Sequence, residues 1–135
     1  MNVLVDTSVW SLALRRRTKR SHMVVDELAE LIHEGRVVMM GPVRQELLSG
    51  IKTHAQFELL RERLRAFPDV ALDHFDYEEA ASCFNQCRAK GIQGSNTDFL
   101  ICAVAIRRDL PIFTTDVDFK HFGGVLPIRL HEVRE

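Results

Sequence analysis

The sequence lacks any long hydrophobic run. Its longest uninterrupted one, Phe99 to Ile106, is eight residues, far short of the ~20 that a membrane-spanning helix needs. The apolar start is broken by Asp6 before it can resemble a signal peptide, so a cytoplasmic protein without a membrane partner is expected. Charge of one sign is also missing. With 18 basic and 19 acidic side chains the formal net charge is -1, which excludes a polycation that binds nucleic acid indiscriminately and leaves only a local patch for such contact. Cysteines are few and odd in number, Cys83, Cys87 and Cys102, which excludes a disulfide framework and reads as buried free thiols. Cys83 and Cys87 lie one helical turn apart, but no nearby Cys or His completes a zinc set, and the six histidines are scattered without ligand spacing.

What is present is ordinary globular composition, 46% hydrophobic and 27% charged over 135 residues. A chain of this length fits one domain, residues 1–135, that buries roughly two-thirds of its unfolded surface. Short apolar runs at Val3–Val5, Val37–Met40, Val70–Leu72, Pro111–Thr115 and Val125–Leu130 read as strands. Between them lie helical patterns: from Thr7 or Ser8 through Leu14, from Ser21 to Gly35, from Pro42 through a stripe of Val43, Leu47 and Ile51, from His54 to Ala66, and from Tyr77 to Lys90 with Gly91 as a left-handed cap. The most apolar helix spans Phe99–Ile106 and is expected to be packed all round. Strands alternating with helices argue for a parallel sheet covered on both faces.

Two strands end alike. Val3-Leu-Val runs into Asp6, Thr7 and Ser8, and Pro111-Ile-Phe runs into Thr114, Thr115 and Asp116. A buried, unpaired carboxylate costs several kcal/mol, so Asp6 is either a helix cap or part of a site that supplies counter-charge. Asp98 stands in the first turn of the apolar helix, where Ser95-x-x-Asp98 also reads as a capping box, and Glu46 borders the core side of its helix. In open parallel sheets, sites form beyond the carboxyl ends of strands. Two carboxylates about 4 Å apart repel by about 4 kcal/mol at an effective dielectric of 20, so four convergent acids call for a cation. Oxygen-only donors favour Mg²⁺ or Mn²⁺, which can orient a water and neutralise phosphoryl charge in phosphodiester hydrolysis.

Downstream of the first helix, Arg15, Arg16, Arg17, Lys19 and Arg20 make five basic residues in six. This run is either a solvated helix end whose cations suit the dipole, or a lip that binds phosphate near Asp6.

The segments Val3-Leu-Val-Asp6-Thr-Ser-Val-Trp10, Pro42-Val-Arg-Gln-Glu46-Leu-Leu-Ser-Gly50, Thr97-Asp98-Phe-Leu-Ile-Cys-Ala103 and Thr114-Thr-Asp116-Val-Asp118-Phe119 together resemble the PIN-domain ribonucleases, and the length resembles their VapC toxins. The resemblance spans almost the whole chain. It implies a PIN-like three-layer α/β/α sandwich with a central, mostly parallel sheet of four or five strands. It further implies a Mg²⁺- or Mn²⁺-dependent endoribonuclease, the toxin of a type II toxin–antitoxin module. Such a protein acts on RNA, forms a homodimer and is inhibited by a cognate antitoxin. By the same resemblance Asp6, Glu46, Asp98 and Asp116 are the catalytic acids and metal ligands, and Asp118 shares or exchanges the role of Asp116. Thr7, Ser8, Asn96 and Thr115 would hydrogen-bond to them, while the basic run has no strict counterpart and is left to RNA or antitoxin contact. Two other readings compete. Phospho-aspartate chemistry at Asp6 wants a second Asp two residues on, where Ser8 stands, and a non-cleaving RNA- or protein-binding domain would not need the full acid set.

Overall fold

A computed structural model describes residues 1–15 and 22–134. Its centre is β1 (Val3–Val5), whose three side chains are all fully buried. β1 pairs in parallel with β2 (Val37–Val38), Val3 opposite Val37, and with β3 (Ile112–Phe113), Val5 opposite Phe113. The sheet order is β2-β1-β3. A strand buried on both faces has no polar side to alternate with, which is why it reads as a continuous Val-Leu-Val run.

Seven helices surround the sheet among the described residues: α1 (Thr7–Leu14), α2 (His22–His33), α3 (Gly41–Leu48), α4 (His54–Leu64), α5 (His74–Ala89), α6 (Asn96–Arg108) and α7 (Asp118–Gly123). The result is an α/β sandwich. The turn after α2 has Gly35 at φ 68° and that after α5 has Gly91 at φ 73°, left-handed conformations at both expected stops. In α6 the side chains of Phe99, Ile101, Cys102, Ala103, Val104 and Ala105 are buried, and α5 packs along it. All three cysteines are buried free thiols. Burial pushes the Cys83 thiol up to about 12 and the Cys102 thiol higher still, so neither is a nucleophile at neutral pH.

The structure corrects the expectation at several points. Among the described residues the sheet has three strands, not four or five. The stretch expected at 70–72 forms no strand; the one parallel bridge there joins Met39 to Asp69, just before it, with Val70 N donating to Met39 O at 2.9 Å. The stretch expected at 125–130 contains Pro127, which has no N–H to give to a ladder. It meets β3 only at its end, where Ile112 N donates to Arg129 O at 2.9 Å and His131 N to Ile112 O at 2.7 Å. Helix α5 begins at His74 rather than Tyr77, because Asp73 and Asp76 form a reciprocal capping box. Helix α3 stops at Leu48, so Ile51 packs against the core from the following loop. Helix α7 was not expected, and it buries Phe119 and Phe122 three residues apart. The expected start of α2 at Ser21 lies outside the described residues.

Candidate active site

The sheet register builds the site. Since Val5 lies opposite Phe113, the next residues, Asp6 and Thr114, come side by side where β1 and β3 end. Asp6 N donates to Phe113 O at 2.9 Å, which fixes the backbone at that point. Asp6 occupies the N-cap position of α1, yet its carboxylate makes no capping hydrogen bond. Instead Oδ2 accepts from Ser8 Oγ at 2.7 Å and from Thr114 Oγ1 at 2.8 Å. With 4% of its surface exposed, Asp6 is a buried acid held by two hydroxyls, and capping is excluded as its purpose.

The two hydroxyls are themselves fixed. Ser8 Oγ accepts from Thr115 N at 3.0 Å, and Thr114 Oγ1 accepts from Asp116 N at 3.0 Å. Asp116 Oδ1 in turn accepts from Asp118 N at 2.9 Å, which turns the chain into α7. At α6 the capping box is present: Asp98 N donates to Ser95 Oγ at 3.0 Å, and Ser95 N to Asp98 Oδ2 at 3.1 Å. From α3, the exposed Glu46 receives Thr7 Oγ1 on Oε1 at 2.6 Å.

One cavity of about 580 Å³ collects these groups. Its walls include Asp6, Glu46, Asp98 and Asp116 together with Thr7, Ser8 and Thr97, and among the described residues no basic side chain lines it. For Asp98, capping and membership of the cavity hold at once. Burial, reinforced by the charges of Asp6 and Asp116, pushes the Asp98 carboxyl above the ordinary aspartate range, against the lowering effect of the Ser95 hydrogen bonds.

The sequence profile of the PIN domain matches residues 3–125. The chain belongs to the PIN domain family. No curated protein matches this PIN domain in sequence. Among solved structures, a chain of FitAcB from Neisseria gonorrhoeae is similar at 22% identity, with a TM-score of 0.76 and 96% of each chain covered. A chain of VapBC2 from Rickettsia felis, solved with a DNA fragment from their promoter, gives a TM-score of 0.77 at 18% identity over 97% of this chain and 98% of that one. VapBC-5 from Mycobacterium tuberculosis, a member of the VapBC family of toxin–antitoxin systems, gives 0.69 at 22% identity over 98% of each chain. At these identities the likeness is one of fold.

Of the residues expected at the site of this PIN domain, the four acids Asp6, Glu46, Asp98 and Asp116 share the cavity, as do Thr7 and Ser8. Thr115 contributes its backbone N–H rather than its side chain. Asn96 lines a different cavity with Tyr77 and Phe84, away from the acids. Asp118 is not on the wall. It sits in the first turn of α7, with His121 Nδ1 4.0 Å from Oδ1, so Asp116 is the acid that faces the cavity. Arg15 is exposed and lines a neighbouring groove, while Arg16, Arg17, Lys19 and Arg20 lie outside the described residues. Thr114 was missed as a side chain that touches an acid; the matching Asp-Thr-Ser and Thr-Thr-Asp strand ends were the signal.

Among the described residues, no three His, Cys, Asp or Glu side chains are drawn together tightly enough to enclose an ion by themselves. The donor set nevertheless suits a hard divalent cation. Among the described residues its side-chain donors are all oxygens and none is basic, and burial, with the charges of Asp6 and Asp116 added, raises the Asp98 carboxyl. Mg²⁺ is ordinarily held by one or two carboxylates plus waters and substrate phosphate, so a looser acid set matches it better than a closed protein cage would.

Proposed function

We propose that this PIN domain is a Mg²⁺- or Mn²⁺-dependent endoribonuclease that hydrolyses RNA phosphodiester bonds as the toxin of a type II toxin–antitoxin module. The observation that carries this reading is the convergence of Asp6, Glu46, Asp98 and Asp116, from four separate segments, on one cavity. The toxin reading draws on the fold likeness to the VapBC structures and on the acid motifs. The partners that follow are RNA, a cognate antitoxin and a second copy of the chain, in the cytoplasm. Among the described residues no helix is long and apolar enough to cross a membrane.

The roles divide by geometry. Asp6, Asp98 and Asp116 are the groups that would hold the cation, Asp6 pre-oriented by Ser8 and Thr114. When bound, the cation supplies charge neutralisation on the phosphoryl oxygens and lowers the pKa of a coordinated water. Glu46, exposed and steadied on Oε1 by Thr7, would orient the attacking water with its other oxygen. The part-buried hydrogen bonds to Asp6 would keep its carboxylate from rotating away as the substrate enters.

The reading is tested by incubating the purified protein with total RNA and sequencing the RNA ends. Discrete new ends in Mg²⁺ that vanish with a chelator are expected. Intact RNA, or RNA that is bound without being cut, would overturn it.

A further inference from the structure

A second cavity, of about 570 Å³, adjoins the acidic one, and Glu46 and Ser49 belong to the walls of both. The remaining wall differs in chemistry. Arg15 comes from the end of α1, Gln56 and Arg63 from α4, and the floor is apolar, made by Leu14, Leu47, Ile51, Leu59 and Leu60. Leu14 and Leu59 are 42% and 54% exposed, an uncovered apolar surface beside two cations. Among the described residues neither Arg15 nor Arg63 forms an ion pair. Among the described residues the Arg15 guanidinium bonds only to Ser11 O, Nε donating at 3.3 Å. This sets Arg63 apart from its neighbours, since Arg61 on α4 pairs with Glu58, and Arg65, just past the end of α4, with Glu62.

We propose that this groove is the subsite for the RNA strand flanking the scissile phosphate, with Arg15 and Arg63 on its phosphates and the apolar floor with Gln56 against a base. The proposal rests on the ribonuclease reading and deepens it. A strand entering a pocket walled by four acids meets repulsion at every phosphate beyond the one being cut. Among the described residues the acidic cavity holds no basic side chain to offset this. The adjoining groove supplies two guanidiniums without an ion-pair partner among the described residues, and continuity through Glu46 and Ser49 lets one strand occupy both. Unstacked bases are commonly received on apolar side chains or guanidinium planes, with a side-chain amide reading a base edge. The volume lies within the roughly 300–1,000 Å³ of small-ligand sites, enough for a short piece of strand and not for a duplex.

The test uses the full chain and a labelled random-sequence single-stranded 12-nucleotide RNA, followed by fluorescence anisotropy over a series of salt concentrations. Arg63→Ala and Arg15→Ala should each weaken binding several-fold at low salt. Each should also reduce the slope of log K against log salt by about 0.7, the share of one phosphate contact on a single strand. Leu59→Asp should weaken binding without lowering that slope. Arg65→Ala, just past the end of α4 and outside the groove, should change neither quantity. Circular dichroism of each variant separates loss of contact from loss of fold. Unchanged affinity and slope in both arginine variants would overturn the proposal, as would variants that bind RNA normally but lose affinity for the antitoxin, which would give the groove to a protein partner. Cleavage of the same RNA by the unaltered chain is scored separately. Weakened binding in the variants without any cleavage supports the groove while the ribonuclease reading fails, and cleavage with unaltered binding in the variants does the reverse.

Discussion

Thr114 Oγ1 donates to Asp6 Oδ2 at 2.8 Å across 108 residues of chain, and the same oxygen accepts from Asp116 N at 3.0 Å. One hydroxyl therefore joins two of the four acids. Because Asp6 is buried, the loss of such a donor is felt by a carboxylate that has little water to replace it.

Thr114→Val is expected to lower kcat for RNA cleavage at least tenfold while costing about 1.5–3 kcal/mol of stability, the range for a hydrogen bond to a charged group. Thr114→Ser, which keeps the hydroxyl, should restore most of the rate. Steady-state cleavage kinetics alongside urea unfolding of the two variants checks this. Equal loss in both would mean that the methyl group, not the hydroxyl, matters.

Asp76 carries a different load. Fully buried, it is bonded by Arg107 at 2.6 Å and Arg108 at 2.7 Å. The Arg108 hydrogen bond, supported by Asp73 N and Arg107, holds its carboxyl well below the ordinary aspartate value of 3.8 despite burial. A depressed folded pKa means that the unfolded chain takes up the proton first. The contribution is therefore complete above pH ~4 and is lost as pH falls from there toward the lower folded value. Asp76→Asn should cost about 3 kcal/mol at pH 7, the low end for breaking a buried pair, since both guanidiniums are about a third exposed. The difference between the two proteins in urea unfolding should shrink at pH 3. A constant difference at both pH values would contradict the assignment.

Gly94 lies just before the Ser95–Asp98 capping box. A Cβ there would stand 2.6 Å from Phe122 Cζ and 3.1 Å from Phe99 Cε2. Since Phe99 and Phe122 are buried against each other, the rings have little room to yield. Gly94→Ala should cost about 1–3 kcal/mol by overpacking and reduce cleavage through the displaced Asp98. Thermal unfolding with a cleavage assay measures both, and an unaltered melting temperature would show that the rings move aside.

Much of this was legible in the sequence, for identifiable reasons. Val3-Leu-Val-Asp6 and Ile112-Phe113 are fully buried parallel strands, which leave continuous apolar runs, and the acids that follow them stood out because a carboxylate rarely ends such a run without purpose. Glu46 and Asp98 drew notice by their places on helices, and their role at the site came from the family resemblance. What depended on register was not legible: the pairing of Val5 with Phe113 alone puts Thr114 against Asp6. The expected outer strands shrank to single bridges because β propensity at Val70 and Val125 does not fix how many ladder bonds can form beside Pro127. Helix α7 was hidden by its six-residue length, though Asp116 followed by Phe119-x-x-Phe122 carried its signal. The resemblance also placed Asn96 at the site, but its own capping segment turns it toward Tyr77 and Phe84.

The central claim is that the acids lining the cavity hold a divalent cation and cut RNA. It is tested most directly by measuring Mg²⁺-dependent cleavage with Asp98→Asn and Asp6→Asn beside the unaltered chain, each shown by circular dichroism to be folded. The account predicts that both substitutions abolish cleavage while the unaltered chain cuts in Mg²⁺ and stops with a chelator. Full activity in either folded variant would contradict it.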